Sequence, residues 1–338
     1  MSAALPSPVL PALRGGPALG WAVLAPGRIA TAFATALTAH TDHRIVAVGS
    51  RDAARAEEFA ARFGIPRAFS GYEAAVAAPG VDAVYIAAPH TLHLPLARIA
   101  FAAGRHALIE KPLAATAADA RAIAREAAHA GVLAMEAMWT RFHPWVSVAD
   151  SLIVDGAIGE VRAIGAEIGR RFPAEEGGRL FDPELGGGAL RDMGVYAVFV
   201  ARHFGGPPLD VVAGGTRTES GVDAQSTLAV GLRGGGRATV SSTLECFTPS
   251  RAFIAGPGGS LRVDGRFPMP GDLGWYGPDG EHIATYRDET GLTGHAALAR
   301  QAAWMAEHIA DGLRDSPLHP LADAVGQIET VERALAQF

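Results

Sequence analysis

Between Trp21 and about Glu136 short apolar runs alternate with longer Ala-rich stretches. This alternation constrains the fold more than any other feature, because strand, helix and strand in succession pair in parallel through a crossover. The expected strands are Trp21–Leu24, Ile45–Gly49, Ala83–Ala87, Ala107–Ile109 and Leu133–Glu136, and the expected helices Ile29–Ala39, Ala53–Phe63, Leu92–Ala103 and Ala117–His129. Gly64, Gly104 and Gly131 fall just past helix ends, where a left-handed residue is wanted. These features predict a doubly wound parallel α/β domain over 21–142.

After Asp155 the texture changes to alternating segments, Val161–Ile168, Val211–Thr218, Ser226–Leu232 and Ala238–Leu244, separated by Gly-rich turns. They predict an open, mostly antiparallel sheet in a second α/β domain, 143–338. One helix is expected at Ala189–His203, stopped by Phe204-Gly205-Gly206-Pro207, and two amphipathic helices, His295–Leu313 and Leu321–Gln337, close the chain and could pack back on the first domain. Residues 1–20, with several prolines and glycines and no positively charged start, read as a loose extension and not as a signal peptide.

Composition excludes several classes of function. A formal charge of −6 gives no basic footprint for nucleic acid or anionic lipid, and no apolar stretch is long enough to span a membrane. One cysteine, Cys246, makes neither an intrachain disulfide nor a Cys-rich zinc site. It favours a reducing, cytoplasmic setting, with a packed structural thiol as the default. Of 29 basic residues only Lys111 is lysine, and asparagine is absent. A lysine kept in an Arg-using chain is either a chance survivor or a site that needs a compact, titratable ammonium.

Several positions can carry chemistry. Ala25-Pro26-Gly27-Arg28-Ile29-Ala30 follows the first strand where a dinucleotide fold places its phosphate turn. Gly27 and Ala30 fill the second and third positions of G-x-G-x-x-G/A, whereas Ala25 replaces the first glycine and needs a negative φ to be comfortable. The turn binds a pyrophosphate or merely joins strand to helix. Ser50-Arg51 stands where a ribose-reading residue belongs, and a hydroxyl with a guanidinium suits a 2′-phosphate, hence NADP; Asp52 could still select NAD, and Arg51 could be a solvated charge. Ile109-Glu110-Lys111-Pro112 ends a parallel strand, at the sheet edge where such folds bind ligands. Asp192 and Tyr196, four apart after Gly186-Gly187-Gly188, could orient and deprotonate an alcohol, or be a surface acid and a core phenol. Ala88, Pro89, His90 and His93 follow another strand end. Two histidines without a clear third ligand favour capping or cofactor contact over a metal, and no metal is expected.

These stretches, with Asp82–His93, Met135–Pro144 and Arg179–Tyr196, resemble the glucose-fructose oxidoreductase, inositol dehydrogenase and MocA-like (Gfo/Idh/MocA) family, in the branch of dimeric dihydrodiol dehydrogenases and NADP-dependent D-xylose dehydrogenases. The resemblance implies a Rossmann domain with a C-terminal α/β domain, and NADP, with NAD as the alternative, held by Gly27, Arg28, Ile29, Ser50, Arg51, Ala88, Pro89, His90, His93 and Glu110. It implies Tyr196 as the acid/base, Lys111 lowering its pKa and orienting the substrate hydroxyl, and Asp192 positioning a sugar or vicinal diol. It also implies a homodimer or higher homo-oligomer through the C-terminal sheet. An NAD-preferring inositol-type dehydrogenase, or a non-catalytic dinucleotide-binding sensor, are the alternatives.

Overall fold

The computed structural model describes residues 5–173, 178–263 and 267–338; the first four residues of the expected extension lie outside them. The chain divides into two compact units. One consists of Leu10–Arg141 with Leu292–Val325; the other consists of the described residues of Met1–Val9, Phe142–Gly291 and Gly326–Phe338.

The first unit follows the alternation. In order come β1 (Gly20–Leu24), α1 (Arg28–His40), β2 (Arg44–Ser50), α2 (Ala53–Phe63), β3 (Ala68–Ser70), α3 (Glu73–Val76), β4 (Ala83–Ile86), α4 (His93–Ala102), β5 (His106–Glu110), α5 (Ala117–Ala130) and β6 (Ala134–Ala137). The strands pair in parallel in the order β3-β2-β1-β4-β5-β6. Every residue of β1, β4 and β6 is buried, as strands covered by helices on both faces require. The order reverses between β1 and β4, so the crevice for a ligand opens beyond their carboxyl ends. The core there is aromatic: Trp21 meets Phe33 edge-on at 5.4 Å, and Phe33 stacks on Tyr85 at 3.8 Å. Residues 10–19, read as a loose extension, have no regular structure but are tied down, Gly15 N–H to Asp42 at 2.7 Å and Ala12 N–H to Glu307 at 2.7 Å.

Two histidines at strand starts use a ring nitrogen as acceptor. His43 Nδ1 accepts from Leu19 N–H at 2.9 Å, and His106 Nδ1 from Leu133 N–H at 2.9 Å. Burial holds the His43 pKa down to about 4, against the pull of the Asp42 charge, and lowers that of His106. Both lie below their unfolded values, so the unfolded chain takes the proton first. Both therefore stabilise the fold at neutral pH and lose that contribution on acidification; for His43 it is complete above pH 6.5 and is lost as pH falls towards 4. His43 alone should cost about 3 kcal/mol over that window. His43→Gln, whose amide oxygen accepts without titrating, should flatten that part of a plot of Tm against pH; an unchanged plot would remove His43 as the cause.

The second unit contains α6 (Pro144–Val154), β7 (Ala163–Gly169), α7 (Val195–Gly205), β8 (Val211–Arg217), β9 (Asp223–Gly231), β10 (Arg237–Thr243), β11 (Ala252–Gly256), β12 (Gly259–Val263), β13 (Leu273–Tyr276) and β14 (His282–Tyr286). These eight strands form a second sheet, β14-β13-β12-β11-β7-β10-β9-β8, antiparallel except where β7 lies parallel to β10. Burial alternates along β9 and β10, as expected of a sheet with one covered face. Helix α7 packs on β7 and β10. Two helices complete the chain: α8 (Leu298–Ala310), which packs on α1 in the first unit, and α9 (Leu321–Leu335). No described helix is long and apolar enough to cross a membrane.

Three expectations are corrected. Ala25 does not take the negative φ required of it but φ +59, with its N–H on Gly49 O at 2.9 Å. The turn therefore accepts a left-handed alanine at a cost of about 1 kcal/mol, where glycine would be unstrained. Cys246 is exposed, not packed, because it follows the end of β10 in a surface bend. The stretch Ala189–His203 is not one α-helix: Leu190–Gly194 forms a π turn before α7 begins.

Candidate functional site

The turn after β1 delivers Gly27 as the N-cap of α1 and exposes Arg28 in its first turn. Gly27 has an extended backbone, φ −128, open to any residue, and a Cβ added there would meet nothing nearer than Ala25 O at 3.9 Å. Nothing in the chain demands glycine at this position. The open space over unpaired N–H groups at a helix start is what a pyrophosphate needs, so the residues fit a dinucleotide. Ile29 follows, half-buried.

At the end of β2, Ser50 is buried and its Oγ accepts from Asp52 N–H at 3.1 Å, while Arg51 is exposed. Asp52 serves as the N-cap of α2, accepting from Arg55 N–H at 3.3 Å. One oxygen of its carboxylate thus caps the helix, and both Asp52 and the Arg51 guanidinium beside it are exposed.

The ends of β4, β5 and β6 are joined through side chains. Ala88 and Pro89 lead into a 3₁₀ turn at His90–Leu92. His90 is 4% exposed and His93 fully buried. His93 places Nε2 3.0 Å from Ala88 O, and Nδ1 3.1 and 3.2 Å from Pro112 O and Leu113 O. The ring therefore fastens the β4 loop to the β5 loop. Glu110, also placed among the cofactor contacts by the sequence, is buried. Its Oε1 accepts from Tyr85 O–H at 2.5 Å and its Oε2 from Lys111 N–H at 3.2 Å. Lys111 follows, half-buried at the carboxyl edge of the sheet. Leu113 N–H donates to Glu136 Oε1 at 2.7 Å, and Glu136 Oε2 meets His319 Nε2 at 2.7 Å. No cluster of three or more His, Cys, Asp or Glu among the described residues is arranged to hold a metal.

In the second unit Asp192, 8% exposed, lies within the π turn and pairs with Arg179 Nη2 at 2.7 Å. Tyr196 packs with Leu180 and Phe181 against Ile168, Ala189, Met193 and Leu244. The i, i+4 argument assumed 3.6 residues per turn across both positions, which a π turn breaks. The 179–181 turn instead serves both positions: Arg179 grips Asp192, and Leu180 and Phe181 pack against the same buried cluster as Tyr196. The π turn is held by Asp223, whose Oδ2 accepts from Leu190 N–H at 2.6 Å. Burial pushes the Asp223 carboxyl up, and the Leu190 hydrogen bond pulls it down in part.

Sequence reasoning missed Glu136, His319, Arg179 and Asp223 as members of this machinery. Glu136 left a signal, a carboxylate inside a strand that is otherwise apolar. His319 left none, since its partner is 183 residues away in the chain.

A family model described as an oxidoreductase family with an NAD-binding Rossmann fold matches residues 19–138, and the GFO/IDH/MocA C-terminal domain matches 146–262. The chain is 33% identical over 323 residues to the trans-1,2-dihydrobenzene-1,2-diol dehydrogenase of Mus musculus, covering 94% of this chain and 96% of the mouse protein. It is 32% identical over 329 residues to the Xenopus tropicalis enzyme of that name, covering 94% and 97%. Among solved structures, KijD10, a 3-ketoreductase from Actinomadura kijaniata in complex with NADP and TDP-benzene, superposes with a TM-score of 0.81 at 26% identity over 94% of this chain and 97% of that one. A levoglucosan dehydrogenase with NADH and levoglucosan gives a TM-score of 0.85 at 21% identity over 95% and 96%, a likeness of fold.

Proposed function

This chain belongs to the GFO/IDH/MocA oxidoreductase family, and from that premise we propose that it is an NADP-preferring dehydrogenase of sugar or vicinal-diol hydroxyls. The observation that carries the reading is Lys111. The one ammonium side chain in the sequence stands at the carboxyl edge of a parallel sheet, in a turn whose backbone is held by His93, Glu110 and Glu136.

When bound, the nicotinamide supplies a hydride acceptor or donor. Gly27, Arg28 and the N–H groups at the start of α1 hold the phosphates, and Ser50 with Arg51 takes the 2′-phosphate. Tyr196 removes the proton of the substrate hydroxyl in oxidation and returns it in reduction. Lys111 stabilises the negative charge that builds on that oxygen, and Asp192, fixed by Arg179, orients a neighbouring hydroxyl. The relatives named as acting on a dihydrodiol support a diol substrate. Val212 on β8 and Phe253 on β11, 62% and 41% exposed, support a homo-oligomer through the second sheet. The exposed thiol of Cys246 suits a reducing cytoplasm.

Purified protein given NADP and a panel of dihydrodiols, pentoses and hexoses should raise absorbance at 340 nm with at least one of them; no turnover across the panel would overturn the reading. Arg51→Ala should weaken NADP by about 10- to 100-fold, the loss of a charge-assisted phosphate contact, and leave NAD binding within about threefold. An equal loss for both cofactors in fluorescence titration would undo the 2′-phosphate assignment.

A further inference from the structure

The backbone that carries Lys111 is held by side chains where a sheet ladder gives out. Lys111 N–H goes to Glu110, Pro112 has no N–H, and Leu113 N–H goes to Glu136. The carbonyls of Pro112 and Leu113 face His93. Glu136 is 1% exposed and is fixed through its second oxygen by His319, 3% exposed. The loop bearing His319 is itself tied back, Arg141 Nε donating to Leu318 O at 2.6 Å and Ser316 Oγ accepting from His319 N–H at 3.3 Å.

We propose that Glu136 and His319 form a buried positioning pair that sets the place of Lys111 by holding the amide of Leu113. A stabilising role alone accounts poorly for the arrangement, because desolvating an acid and an imidazole offsets most of their attraction and apolar residues would fill the space as well. The carboxylate spends one oxygen on His319 and the other on the only N–H in the two residues after Lys111. That is the geometry of a strut. A shift of about 1 Å at a catalytic group lowers turnover by about 100-fold. A support so placed therefore has a catalytic consequence without touching the substrate.

This inference rests on the assignment of Lys111 to catalysis, and the test separates the two. In the full-length protein, Glu136→Ala should lower kcat by about 10- to 100-fold while KM and the dissociation constant for NADP stay within about threefold. Glu136→Gln, which keeps an oxygen for Leu113 N–H and an amide for His319, should restore most of the rate. In a Lys111→Met background, Glu136→Ala should add less than about a twofold further loss, because a support has no effect once its load is gone. If Glu136→Ala does not fold, His319→Ala carries the same comparison in both backgrounds. A wild-type rate in Glu136→Ala, a Gln variant no better than Ala, or an equal loss in both backgrounds overturns the positioning role alone. A Lys111→Met enzyme with full turnover overturns the catalytic assignment and the positioning role with it.

Discussion

Lys111→Met is expected to lower kcat by about 10³-fold or more while NADP binds within about threefold and the thermal midpoint stays within a few degrees. Methionine keeps the length and apolar stem of lysine and removes only the ammonium, so packing at the end of β5 is preserved. What is lost is a cation beside an oxygen that becomes negative as its proton leaves, a contribution of 10²–10⁴ in comparable acid–base chemistry. Lys111→Arg is the more searching control. This chain uses arginine at every other basic position, so a site satisfied by positive charge alone would hold arginine too. A planar fork on a longer, bulkier head cannot take the place of a compact ammonium. The Arg variant should therefore stay at least about 100-fold below wild type. Steady-state kinetics with fluorescence titration of NADP decide the matter. Full activity in Met would end the assignment, and full activity in Arg would reduce it to a matter of charge.

The first unit was legible because each of its elements is local. Helix α2 occupies Ala53–Phe63 as its pattern and its terminal glycine require. The ends of the five expected strands fall within one or two residues of those observed. Elements with little periodicity escaped. Strand β3 has three residues, and α6 has only a narrow polar face, Ser147, Asp150 and Ser151, in an otherwise apolar run. Strands β11 to β14 are short, four or five residues each, and the segments between them carry glycine and proline. The site was half legible for a related reason. Gly27, Ser50, Arg51 and Lys111 sit at strand ends, where a parallel sheet puts its ligand. Asp52 could not be resolved from sequence, because one carboxylate can cap a helix, bind a ribose or do both; the structure shows the cap, one oxygen accepting from Arg55 N–H. The pairs Glu136–His319 and Arg179–Asp192 were invisible because long-range hydrogen bonds carry no periodicity. The π turn was missed since its composition is that of an ordinary helix.

That π turn leads to the second large effect. Gly188 has φ +119, which only glycine adopts readily, and a Cβ there would lie 2.0 Å from Asp223 Oδ1. The same carboxylate, buried to 2% exposure, accepts from Leu190 N–H and so starts the turn that carries Asp192. Gly188→Ala should therefore cost the backbone strain of a disallowed φ and most of the Leu190 hydrogen bond, together about 3–5 kcal/mol. In a chain of 338 residues that is a fall in Tm of roughly 4–7 °C. Asp223→Asn, which keeps an acceptor oxygen of the same reach, should cost only about 1 kcal/mol. Asp223→Ala removes the clash partner but leaves Leu190 N–H unpaired. The Gly188→Ala/Asp223→Ala protein should accordingly lose less stability than the two single changes added together, because both singles break one bond. Turnover separates architecture from chemistry: below the Tm of each variant, kcat should fall with displacement of Asp192, while the dissociation constant measured for NADP should stay within about threefold. A Gly188→Ala protein with wild-type stability would mean that the turn relaxes freely, and that Asp223 does not hold Asp192 in place.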